Sequence, residues 1–273
     1  MTYRRVYSAA VVPVAVLGTL WVAASRPTSG QSSLGRGAKS AEGRPNLNGI
    51  WQALNSANWD IEPHEARPGP LQFGALFASP AGLGVVGDGP IPYQPWAAAK
   101  KKDNFAKRWT EDPEAKCYLP GIPRATYMPF PFQIVQGTDK IMMIYEYAAA
   151  ARSIHMDKVP VAPIESWMGH SVGRWEGPTL VVDVTKLAGQ SWFDRAGNFQ
   201  SESLHVVERY TPMGRDALDY EVAIEDPALY TRSWKMRMPL YRRLEKDMQL
   251  LEFRCIPFSE DLLYGDLRKK PSR

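Results

Sequence analysis

The chain has 273 residues and carries 33 Lys and Arg against 29 Asp and Glu, a net charge of +4. Arg4, Arg5 and Arg26 lie in a stretch without acids, so beyond residue 30 the balance is 30 basic to 29 acidic residues. That near-neutrality implies no one-signed basic face of the kind nucleic-acid binding needs, and 23 Pro spread along the chain argue against long helices.

Residues 1–24 read as a secretory signal peptide. Arg4 and Arg5 precede an uncharged, mostly apolar run, Val6 to Ala24, which ends in the small-residue exit Val22-Ala23-Ala24. Pro13 and Gly18 interrupt that run and weaken it as a permanent span, although an uncleaved anchor is the alternative. Export implies a periplasmic or secreted protein with no membrane attachment after cleavage. Residues 25–44 are rich in Ser, Gly and Arg and read as a disordered tether.

Residues 45–128 read as an N-terminal arm with a first strand near Trp51. Residues 60–95 hold many Pro and Gly with little periodicity, as in a long ordered loop. Trp96 to Trp109 is the best helix candidate, with Ala and Lys helix formers and apolar Trp96, Ala99, Phe105 and Trp109. From Pro129 the period becomes two. Strands are predicted over 133–136, 141–147, 152–156, 179–184, 204–210, 218–224 and 234–240, with 250–256 closing the series. The alternation is clearest in Leu218, Tyr220, Val222, Ile224 and in Trp234, Met236, Met238, Leu240, as expected for walls with one wet face. The expected fold is mostly β, an antiparallel barrel of about eight strands over 129–268 that forms one domain with the arm.

Cys117 and Cys255 are the two cysteines. In an oxidising compartment they are expected to pair, and two buried thiols are the alternative. No G-x-S-x-G, phosphate loop, H-E-x-x-H or C-x-x-C occurs, and His64, His155, His170 and His205 lack metal-ligand spacing. Neither a metal nor another cofactor is therefore implied.

The residues with chemistry to offer are ionisable groups on apolar strand faces. Glu208 shares a face with Leu204, Val206 and Tyr210. Glu146, beside Tyr145, shares one with Met142 and Ile144, and Asp183 shares one with Thr179 and Val181. Three such carboxylates converging in a barrel would suit acid–base catalysis or recognition of a hydroxylated ligand. The alternative is that Arg124, Arg152, Arg174 or Arg209 pairs with each acid to bridge strands. His205, on the opposite face from Glu208, is an acid–base candidate by its titration range. Asp194 sits in the turn-rich Trp192-Phe193-Asp194-Arg195 segment, as a catalytic loop acid or a turn cap. Trp167 and Trp192 fall in predicted loops and are candidates for a pocket rim, with Trp175 as a further aromatic.

Gly49-Ile50-Trp51 resembles the G-x-W motif of lipocalins and points weakly to a calycin-like barrel. Longer stretches carry a second resemblance. PNLNGIWQALN from Pro45, CYLPGIPRATYMPFPFQIVQ from Cys117, SWMGHSVGRWEGPTLVVDVT from Ser166 and WFDRAGNFQSESLHVVERYTP from Trp192 resemble a family of uncharacterised, hypothetical secreted bacterial proteins. That resemblance implies secretion and no activity. The expected function is binding of a small, largely apolar organic ligand in the barrel. A metal-independent hydratase, isomerase or lyase using Glu208, Asp183 or His205 is the alternative, and an envelope interaction protein the third reading.

Overall fold

The computed structural model describes residues 43–69, 78–87, 89–157 and 159–258. The expected leader, most of the tether and the basic C-terminal tail lie outside these residues. Nine strands close a barrel in chain order. They are β1 (Gly49–Ala53), β2 (Phe132–Gln136), β3 (Lys140–Tyr145), β4 (Ala151–His155), β5 (His170–Glu176), β6 (Thr179–Thr185), β7 (His205–Pro212), β8 (Ala217–Glu225) and β9 (Trp234–Arg242). β1 closes the ring against β9, antiparallel, from Trp51↔Arg242 to Ala53↔Leu240.

An odd number of strands cannot alternate direction all the way round a ring, so one neighbouring pair must run parallel. That pair is β4–β5, joined at Ile154↔Ser171 and His155↔Val172. Segment 156–169 supplies the longer connection that a parallel step requires.

The predicted last strand, Leu250 to Ile256, is not a strand. The ring is already closed by β1, which leaves residues 250–256 no free ladder. They run along the outside instead, with the Leu251 amide donating to Glu146 Oε2 at 2.9 Å. β5 is the strand that periodicity missed. Its inward residues include Ser171 and Gly173 and its outward ones Arg174 and Glu176, so no apolar alternation marks it. A side chain at Gly173 would press on Ile154 and Met156, 2.7 and 2.8 Å away.

Side chains fill the barrel. The inward residues of β7 to β9, from Val206 through Tyr220 and Met236 to Leu240, are at most 2 % exposed. A barrel of this size is just wide enough to be packed solid in this way.

The helix over Pro95–Glu111, α1, begins one residue before and ends two after its predicted range. Pro95 occupies a first-turn position, where its missing N–H costs nothing. A one-turn helix, α2 (Arg124–Tyr127), is buried at every residue, and the Tyr127 hydroxyl donates to the Phe193 carbonyl at 2.8 Å. Among the described residues no helix is long and apolar enough to cross a membrane.

Candidate functional site

Of the three carboxylates expected to converge, only Glu208 faces the barrel interior. Its Oε2 accepts from Arg152 Nη1 at 2.6 Å. Its Oε1 accepts from Arg152 Nη2 at 3.1 Å, Tyr210 at 2.9 Å and Tyr220 at 2.6 Å. The Tyr210 hydroxyl in turn accepts from Arg152 Nη2 at 3.0 Å, and Tyr145 packs at the same cluster, its hydroxyl 3.4 Å from Met143 Sδ. Burial, then the Glu208 charge, raises the Tyr210 and Tyr220 phenols well above their ordinary range. Burial works against the Arg152 charge too, yet the adjacent carboxylate more than restores it. Glu208 thus has each oxygen engaged and no route to solvent, which is the geometry of a strand-bridging ion pair.

Asp183 and His205 lie on the outer wall. His205 Nε2 is 3.1 Å from Asp183 Oδ1, and His205 Nδ1 is 3.5 Å from Glu225 Oε2. Arg174 pairs with Asp183 and, at 2.9 Å, with Glu176. These side chains are 37–67 % exposed and stand in a cross-strand ladder that holds no nucleophile. Glu146 lies beyond the end of β3 and caps the Leu251 amide. Trp167 stacks against Tyr118 with ring centroids 5.0 Å apart, and Trp175 packs partly buried on the core.

Asp194 and Arg124 belong to a second buried polar cluster that sequence reasoning did not assemble. Arg124 donates to both oxygens of Asp112 at 2.8 and 3.0 Å, to Glu114 at 2.6 Å and to Asn58 at 2.9 Å. Arg195 grips the same Glu114 at 2.7 and 2.6 Å and lies over the Trp59 ring. Burial pushes Glu114 up, but Arg195 and Arg124 outweigh it and bring the carboxyl down to about 2. Asp194 is fully buried; each of its oxygens accepts two hydrogen bonds, from the Ile61, Ala196 and Asn198 amides and the Asn198 side chain. Burial, with Asp60 nearby, pushes it up to about 7 against the pull of those donors. The turn cap weighed for Asp194 is therefore present, and it staples residues 61 and 194–198 together.

Trp192, in the same segment, lines a cleft of about 910 Å³ between α1 and residues 189–203. Trp96, Trp192 and Phe199 supply aromatic surface, while Asn104, Gln190 and Gln200 supply amides. Lys100 and Lys107 also line it, and both pair with Asp103, at 3.4 and 2.8 Å. Gly197 lets the loop come close to α1. Its φ is +85°, and a side chain there would sit 2.7 Å from the Phe105 amide, forcing α1 away. Asn104 then reaches the Gly197 carbonyl at 3.3 Å. The helix face was missed because Trp96 read as helix packing and Asn104 carried no signal of its own, and only the fold brings them to the loop. Among the described residues no three His, Cys, Asp or Glu side chains gather closely enough to hold a metal ion. Comparison of the chain with family models, curated proteins and solved structures found no match.

Proposed function

We propose that this is an exported binding protein for a small, largely apolar organic molecule, held in the cleft between α1 and residues 189–203. The observation that carries the reading is a concave aromatic surface, Trp96, Trp192 and Phe199, beside a barrel whose inward side chains leave no room for a guest. Aromatic surface beside polar side chains can hold and orient a small molecule, and here the aromatic rings share the lining with charged and polar groups, Asp103, Glu111 and Glu202 among them. Lys100 and Lys107 share the cleft lining with Asp103, Glu111 and Glu202, which leaves no surplus of positive charge and favours a neutral ligand over an anion. The disulfide, the signal-peptide pattern and the resemblance to secreted proteins support export.

Acid–base catalysis inside the barrel is less well supported, because Glu208 is saturated by Arg152 and two phenols. Tryptophan fluorescence, titrated with a panel of neutral aromatic and aliphatic compounds, tests the reading. A saturable change is expected in the native protein and should weaken at least about tenfold in Trp192→Ala, since burying an aromatic ring is worth about 1.4 kcal/mol or more. Binding unaltered in that variant would remove the cleft from consideration.

A further inference from the structure

We propose that Ser56 and His64 form a nucleophile–base pair able to hydrolyse esters with an apolar acyl group. His64 is buried, and its Nδ1 lies 2.8 Å from the Glu62 carbonyl oxygen. A carbonyl only accepts, so Nδ1 carries the proton and Nε2 is left with its lone pair. That Nε2 is buried and has no hydrogen-bond partner. Ser56 is half-buried, and its hydroxyl too makes no hydrogen bond among the described residues.

Gly82 shows how close the two groups stand. A Cβ placed there would collide with Ser56 Oγ and lie 2.5 Å from His64 Cε1 and 3.0 Å from His64 Nε2. Both groups therefore crowd the same side-chain-free face of one glycine. A nucleophile and its base often stand apart in a ligand-free enzyme and draw together over substrate.

The imidazole is held on several sides. The His64 backbone exchanges two hydrogen bonds with Gly82, each 2.9 Å. The Glu62 amide donates to Asp60 at 3.0 Å, and Glu62 Oε2 pairs with Lys101 of α1 at 3.2 Å. This fixes the carbonyl that selects the tautomer. Leu54, two residues before Ser56, and Leu83, next to Gly82, are 66 % and 95 % exposed. These exposed leucines, neighbours in sequence of Ser56 and of Gly82, are the reason the substrate class is an ester with an apolar acyl chain.

In the reaction, Ser56 Oγ bonds to the ester carbonyl carbon while its proton passes to His64 Nε2. The carbon–oxygen bond to the leaving alcohol breaks, and that alcohol takes the proton from His64. Water then attacks the acyl-serine, gives a proton to His64, and releases the acid as Ser56 recovers its proton. Neither Ser56 nor His64 lines the cleft, so the test of the pair does not rest on ligand binding there.

The experiment is incubation of the folded protein with an alkyl fluorophosphonate, followed by intact mass and peptide mapping. One adduct on Ser56 is expected. It should be absent in Ser56→Ala, and its rate should fall about 100-fold or more in His64→Gln, the usual weight of a general base. An unmodified wild-type protein, an adduct on another residue, or a His64→Gln protein that labels at the wild-type rate would each overturn the proposal. If His64→Gln does not fold, the wild-type and Ser56→Ala results decide it.

Discussion

Removing the Glu208 carboxylate would strand the Arg152 guanidinium in a barrel interior with no water to solvate it. Glu208→Ala should therefore lower the unfolding free energy by about 3–5 kcal/mol, the usual cost of orphaning one member of a buried pair. Urea unfolding measures this, and an unchanged midpoint would place Glu208 outside the barrel. Asp194 makes a pH-dependent contribution. Its carboxyl is raised from 3.8 to about 7 in the folded protein. The folded state thus holds a proton that the unfolded state releases, and stability from this group, complete below about pH 4, is lost as pH rises to 7. Glu114 has the opposite sign. Lowered to about 2, it stabilises fully above pH 4.5 and loses that contribution as pH falls toward 2. Denaturant midpoints from pH 4 to 8 should decline in the native protein and stay flat in Asp194→Asn; equal slopes would assign the titration elsewhere.

Among the strands, cohesion is uneven. β7 and β8 share eight residue pairs, whereas β4 and β5 share two, and those run parallel. The β4–β5 seam is the place where an odd-numbered ring must break its alternation, and it is the weakest lateral contact in the barrel. Local opening follows the density of hydrogen bonds and buried contacts. Hydrogen exchange should therefore reach the β4 amides before those of β8. Protection of β4 equal to that of β8 would mean that the seam is supported from outside, by segment 156–169.

At the scale of the molecule, the Cys117–Cys255 disulfide joins positions 138 residues apart. It pins the segment after β9 over the Phe130, Tyr147 and Phe253 rings, whose centroids are 4.9–5.7 Å apart. The expectation placed Cys255 in a last strand; it lies instead in an extended segment, so the bond fastens a strap rather than a barrel wall. Closing so long a loop should stabilise the fold by roughly 4–5 kcal/mol on the chain-entropy model. Thiol titration of the denatured, unreduced protein should find no free thiol, and Cys255→Ser should melt lower and be cut first within residues 243–258. A melting temperature unchanged by that substitution would show that aromatic packing alone holds the strap.

The β character, the helix before Glu111 and the disulfide were legible in the sequence. Each depends on local pattern or on a pairing that two cysteines leave unambiguous. On β7 to β9 one face is apolar and one polar, so the inward residues could be read directly, Glu208 among them. β3 and β6 carry apolar side chains on both faces: Met142 and Ile144 flank Met143, and Val181 flanks Leu180 and Val182. Alternation then names residues that share a face without saying which face is inside; Asp183 fell on the outer one, and Glu146 lies past the end of β3 altogether. Only the closed ring decided that, since the register of Val182 against Glu208 and of β1 against β9 is set by partners far away in the chain. The Arg124–Glu114–Arg195 cluster and the α1 cleft have the same origin: each joins segments far apart in the chain. Ser56 and His64 are only eight residues apart, and the His64–Gly82 bridge brings a bare glycine face to both.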